Sequence, residues 1–129
     1  MYIGTTINDS ATIAAKASAT ITKGAMLAVT MGATGVTVAG KGKEAVGLLA
    51  ADTAPSVATG EDVTVQVKDI GLWVSGGEIT AGALLASDAH GKAAAAASTD
   101  FIVAQALEGA TGADQPIHVQ IIKAGYQKA

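Results

Sequence analysis

The chain contains no cysteine, which excludes a disulfide framework, a thiolate zinc site and a thiol nucleophile. Packing alone must stabilise it, and the redox compartment stays open. Arginine is also absent: all 8 basic residues are lysines, the formal charge is -3 and the pI is near 5.1. Phosphate recognition normally uses clustered Arg and Lys, with Arg supplying a bidentate fork, and no basic stripe is present. No nucleic-acid partner is expected. Aromatics make up 3% of a chain that is 50% hydrophobic, and Ala and Gly together exceed a third of it. Each Ala buries far less than a Leu or Phe at roughly 25 cal/mol per Å² of apolar area, so the core must be thin and association would add stability. The first ten residues lack the basic and continuous apolar regions of a signal peptide, and no run approaches a membrane span. A soluble protein made in the cytoplasm, with no membrane partner, is expected.

The length of 129 residues suits one compact domain with an arm or tail. An internal repeat organises it. Ile21-Thr22-Lys23-Gly24-Ala25-Met26-Leu27-Ala28 returns as Ile79-Thr80-Ala81-Gly82-Ala83-Leu84-Leu85-Ala86, the pattern I-T-x-G-A-x-L-A. Val63-Thr64-Val65-Gln66-Val67 closes the first half as Ile117-His118-Val119-Gln120-Ile121 closes the second. A duplicated β-unit, 21–67 and 79–121, is expected within a core domain of residues 21–129.

Each half carries a Gly-centred turn, Met31 to Gly35 and Asp88 to Lys92, which predicts hairpins. Leu27 to Val29 and Val36 to Ala39 flank the first. In the second, the return segment Ala93 to Ala97 reads as helix on propensity and as strand on its place in the repeat, the repeat favouring strand. Further strands are expected at Ala45 to Ala50, Ile70 to Val74 and Phe101 to Leu107, with turns at Pro55 to Gly60, Ser75 to Gly77 and Gly109 to Pro116. Strands this short and frequent predict an all-β fold, a compact small barrel or sandwich. Residues 1–20 lie outside the repeat, with isolated apolar Tyr2, Ile3, Ile7 and Ile13, and read as an extended N-terminal arm.

Residues for chemistry are few. The histidines are His90, in an expected turn, and His118, in an expected strand where it alternates with Ile117 and Val119 and should face solvent or a subunit contact. Neither accompanies a G-x-S-x-G elbow. Asp88, His90 and Gly91 could begin a metal site, but turn formation explains the same residues, and no second ligand cluster joins them. Gly-Ala-Thr-Gly occurs at 32–35 and at 109–112 without the Gly-Lys-Ser/Thr ending of a phosphate loop. Glu61 with Asp62, or Glu44 with Asp52, lacks an aromatic platform for a sugar. No enzyme activity, catalytic residue, metal or cofactor is expected. Trp73, the only tryptophan, is either a core anchor or an interface hot spot together with Leu72.

Ile21-Thr22-Lys23-Gly24-Ala25, Glu44-Ala45-Val46-Gly47-Leu48-Leu49-Ala50-Ala51-Asp52, Gly60-Glu61-Asp62-Val63-Thr64-Val65 and Gly71 to Gly82 follow one another in an order and spacing that resembles the capsid decoration (cement) proteins of tailed bacteriophages. The stretch Ala45 to Ala50 also looks like a strand of the head decoration protein of lambda-like phages, which has a β-clip fold. The resemblance implies a β-clip-like sandwich and a homotrimer on the outer surface of the expanded capsid, with the major capsid protein as partner and capsomer contacts stabilised. On such a shell the arm, through Tyr2, Ile3, Thr5 and Ile7, is expected to engage the capsid protein, and Trp73 and Leu72 to lie at or near the trimer contact or to anchor the core. The alternative is a head-fibre or carbohydrate-binding module of a phage particle.

Overall fold

The computed structural model describes residues 11–128, and among these there is no helix. The first half supplies β1 (Thr12–Lys16), β2 (Ile21–Thr22), β3 (Ala28–Gly32), β4 (Gly35–Val38), β5 (Gly47–Leu49), β6 (Ser56–Val57) and β7 (Asp62–Gln66). The second supplies β8 (Asp69–Val74), β9 (Leu84–Ser87), β10 (Ala93–Ala95), β11 (Phe101–Ala106) and β12 (Pro116–Tyr126). The alanine run is therefore a strand over Ala93–Ala95, and Ala96 and Ala97 lie beyond its end. Its small side chains pair with β9, Ala93 opposite Ser87, Ala94 opposite Ala86 and Ala95 opposite Leu85.

Two five-stranded antiparallel sheets result, in the orders β1-β7-β5-β3-β4 and β8-β12-β11-β9-β10. The two orders are the same, strand for strand. The small sheet β2-β6 of the first unit has its counterpart in the single bridge Ile79–Ala110 of the second. Each five-stranded sheet curls until its outer strands touch at one parallel bridge, Ala17–Val36 or Ser75–Ala93, and neither closes into a barrel. The fold is thus all-β, a small sandwich of two curled sheets.

The repeat starts earlier than the octets suggest. β1 pairs with β7 as β8 pairs with β12, Thr12 opposite Gln66 and Ile70 opposite Gln120. Residues 12–16 are hence the first strand of the first unit, with Ala17 bridging to Val36, so this part of the expected arm of residues 1–20 belongs to the sheet, while residues 1–10 lie outside the described residues. Ala14 and Ala15 stand where Leu72 and Trp73 stand, so no sequence identity betrays the match. The octets are also out of register by two residues after their second position. Met26, with φ 61°, donates its N–H to Leu49 as Gly82, with φ 88°, donates to Ala106. Gly82 thus matches Met26, while Gly24 packs against Ile21 and Leu49.

Each unit has its own core. In the first, Ile21, Val29, Val36, Leu49, Val63 and Val65 point inward. In the second, Ile79, Leu85, Val119 and Ile117 do so around Trp73, which is completely buried. This second core also takes in Ala28, Ala39, Ala45 and Leu48 from the first unit. Alternation explains how: Val29 and Leu49 face the first core, so Ala28 and Leu48 face outward and are covered by the second unit.

Candidate functional site

The junction between the units is built on one carbonyl. Gly91 has φ 77°, and its oxygen accepts the Ala28 N–H at 2.8 Å and the Trp73 indole N–H at 2.9 Å. A Cβ at Gly91 would sit 2.6 Å from Val38. Glycine is required here both for the turn and for the close approach. Asp88 shapes the same loop by accepting the N–H groups of His90 and Lys92 at 2.8 and 2.9 Å. Its carboxylate is engaged as a turn former, and among the described residues no group of three His, Asp or Glu could hold a metal.

A second junction lies at the far end of β12. The pairing of β11 with β12 slips between Ile102 and Ala104, leaving a bulge on β12 in which Lys123 has φ 43°. The bulge turns Lys123 toward the first unit, where its ammonium donates to the Val46 carbonyl at 3.0 Å. Beyond it, Tyr126 packs edge-on against Phe101 with ring centroids 5.4 Å apart, and its hydroxyl donates to Glu44 at 2.6 Å. That hydrogen bond raises the Tyr126 pKa above the ordinary tyrosine value, since the carboxylate stabilises the protonated phenol. A raised folded-state pKa means that the bond's stabilisation is present below the ordinary tyrosine range and is lost as pH rises through the titration of Tyr126. In an absorbance titration, Glu44→Ala is expected to bring the Tyr126 midpoint back down toward that of an exposed tyrosine.

His118 and Glu108 form an exposed pair. The Glu108 carboxylate accepts the His118 backbone N–H at 2.7 Å and lies 2.5 Å from its ring Nδ1. The backbone donor first and the ring second hold the Glu108 carboxyl below the usual carboxylate range. A groove of about 280 Å³ runs beside the pair, lined by Ile70, Leu72, Gln66 and Leu49 among others.

The residues singled out in the sequence are placed as follows. Tyr2, Ile3, Thr5 and Ile7 lie outside the described residues. Trp73 faces the second core with no surface open to solvent, while its neighbour Leu72 is half-buried on the opposite, outer face. Around Leu72 the ladders assemble a surface that the sequence reading did not single out. One row crosses the second sheet as Ile70, Gln120, Gln105, Leu84, and the Ala96 N–H bonded to Leu84 extends it. Leu107 lies beside it, its N–H bonded to the His118 carbonyl. Ile70 is 57% exposed, Leu107 45% and Leu84 39%. The row carries no charged side chain.

The chain matches no protein-family description, and no curated protein matches it in sequence. Among solved structures it is similar to the base of a phage head fibre. That structure is the N base of head fibre gp8.5 in bacteriophage phi29, matched with a TM-score of 0.64 at 16% identity over 92% of this chain and 98% of that one. At this identity the likeness is one of fold, and it takes in nearly the whole of the fibre base, so both units of the duplicated architecture are included.

A strand apolar on both faces is the signal that could have revealed the outer row. In Asp69-Ile70-Gly71-Leu72-Trp73-Val74 the inward positions Gly71 and Trp73 alternate with outward Ile70, Leu72 and Val74, where a strand with one solvated face would carry polar residues.

Proposed function

We propose that this chain is a structural protein of a tailed-phage head, a homotrimer that binds the major capsid protein on the outer surface of the capsid and performs no catalysis. The observation that carries the reading is the fold shared with the head-fibre base over nearly all of both chains. The ordered Gly-anchored strand motifs that resemble the cement proteins support it independently. In this reading the segment holding Tyr2, Ile3, Thr5 and Ile7 contacts the capsid protein, and the two-unit sandwich is the body that stands on the shell.

A second reading, favoured by what the structural neighbour is, makes the chain the base on which a head fibre stands. The two readings differ in what binding does to the shell. Mixing the protein with expanded, undecorated heads is expected to give saturable, stoichiometric binding, and removal of residues 1–10 to weaken it while leaving the circular dichroism spectrum and melting temperature unchanged. A cement protein would also raise the temperature at which the heads release DNA; a fibre base would bind without that gain. Absence of binding to heads at micromolar concentration would overturn both. A sugar-binding role has less support, because Trp73 is buried and offers no stacking face.

A further inference from the structure

The duplication shows what covers one copy of the outer row, and among the described residues the other copy has no such cover. In the first unit the equivalent row is Thr12, Gln66, Leu48, Ala28 and Ala39, set by the same ladder partners and by the Ala39 N–H bonded to Ala28. There Leu48 and Ala39 are 1% exposed and Ala28 is 0% exposed, because the second unit lies on them. The covering parts are the end of β8, where Val74 donates to Met26, and the end of β9 with the loop after it, where the Ser87 hydroxyl donates to the Ala39 carbonyl and the Gly91 carbonyl accepts the Ala28 N–H. In the second unit the same positions are Gln105, Ala96 and Leu84, and among the described residues nothing lies on them as the second unit lies on the first.

We infer that the outer row of the second unit is the docking site for the first unit of another copy of this chain, which repeats between molecules the contact that joins the two units within one. The inference rests on the self-assembling part of the proposed function and not on its capsid part. The surface a second copy would offer is fixed by the same equivalence. Met31, opposite Val36, occupies the place of Ser87, opposite Ala93, and Lys16 ends β1 where Val74 ends β8. Met31 is 47% exposed at the tip of its strand. The hairpin after it has four residues between Met31 and Val36, against five between Ser87 and Ala93, so it is one residue shorter. The receiving row compensates with bulk, Leu84 standing where the first unit has Ala28.

The contact is heterologous, the head of one copy meeting the tail of the next, and such contacts close into rings when the rotation allows. A trimer is the smallest such ring beyond a pair. The receiving row is uncharged, with Ile70 and Leu84 on either side of two glutamines, and depletion of charge is what suits the core of a contact between copies.

Sedimentation of the full-length protein over a range of concentrations tests this. The wild-type chain is expected to self-associate. Leu84→Lys on the receiving row and Met31→Lys on the docking surface are each expected to weaken association by about tenfold or more, the effect of a charge in a contact centre. Thr59→Lys, in the turn between β6 and β7, is expected to leave it unchanged. Mixing the two interface variants is the deciding arm. Each retains one intact surface, so together they should form a one-to-one pair that neither forms alone, whereas a symmetric contact would give no rescue. Ile70→Lys, at the most exposed apolar position of the row, replaces Leu84→Lys should that variant fail to fold. A monomeric wild-type chain, or association indifferent to both substitutions, overturns the inference. Binding to heads by a monomer would sink the docking site and leave the capsid reading standing; a wild-type oligomer that both substitutions disrupt but that does not bind heads would do the reverse.

Discussion

Trp73→Ala is expected to destabilise the fold by about 3–5 kcal/mol, the usual cost of truncating a fully buried large aromatic to alanine. Three features place it at the high end. The side chain is completely buried, it is the largest residue of a core otherwise made of small and branched aliphatics, and its indole N–H holds the carbonyl at the junction of the units. The alanine-rich strands around it have little bulk with which to collapse into the void. Domains of this size are stable by about 5–15 kcal/mol, so the variant should lose a large part of its margin. Urea denaturation followed by far-ultraviolet circular dichroism reads the effect, since the only tryptophan is the residue replaced. Trp73→Phe, which keeps most of the volume and loses the hydrogen bond, should lie clearly between wild type and alanine. An alanine variant within about 1 kcal/mol of wild type would show that the second core does not depend on this ring.

The second large effect is expected at Gly35, where β4 begins. Its φ is 141°, and a Cβ there would lie 2.1 Å from the Lys16 carbonyl oxygen, a backbone atom at the end of β1. The bare backbone lets β1 and β4 approach until Ser18 donates to Val36 at 2.8 Å, the contact that completes the curl of the first sheet. Gly35→Ala must either force the backbone out of this conformation or push the two strands apart, and the two effects together should cost about 2–5 kcal/mol. Gly32→Ala is the control: a Cβ there meets the Gly35 carbonyl at an ordinary 3.5 Å, and the change should stay under about 1 kcal/mol. Equal losses from both substitutions would refute the account.

Most of the strands could be read from alternation and turns, because Val63-Thr64-Val65-Gln66-Val67 and Ile117 to Ile121 carry a period of two between Gly-rich turns. The repeat also read through, and it placed the alanine run as a strand against its helical propensity. What stayed hidden had no local signal. Thr12-Ile13-Ala14-Ala15-Lys16 is weakly apolar and becomes a strand through its long-range partner β7. Ser56 and Val57 lie inside a Pro- and Gly-bounded segment that reads as a turn, yet they pair with Thr22 and Ile21. The two-residue slip in the octets arose because Ile and Thr at their head match in space while the glycines after them do not. For the candidate surface, Leu72 was singled out, but its companions Leu84, Gln105 and Leu107 come together only when β9 and β11 are laid side by side.

The pairing of β1 with β7 has a bearing on how the chain is made. Thr12 must wait for Gln66, and Lys16 for Asp62, so a chain emerging from the ribosome cannot finish its first sheet until about half of it has been synthesised. Even then Ala28 and Leu48 lie bare until the second unit arrives to cover them. During that interval the nascent first unit presents a bare strand surface, and translation speed between residues 66 and 121 sets how long it stays unprotected.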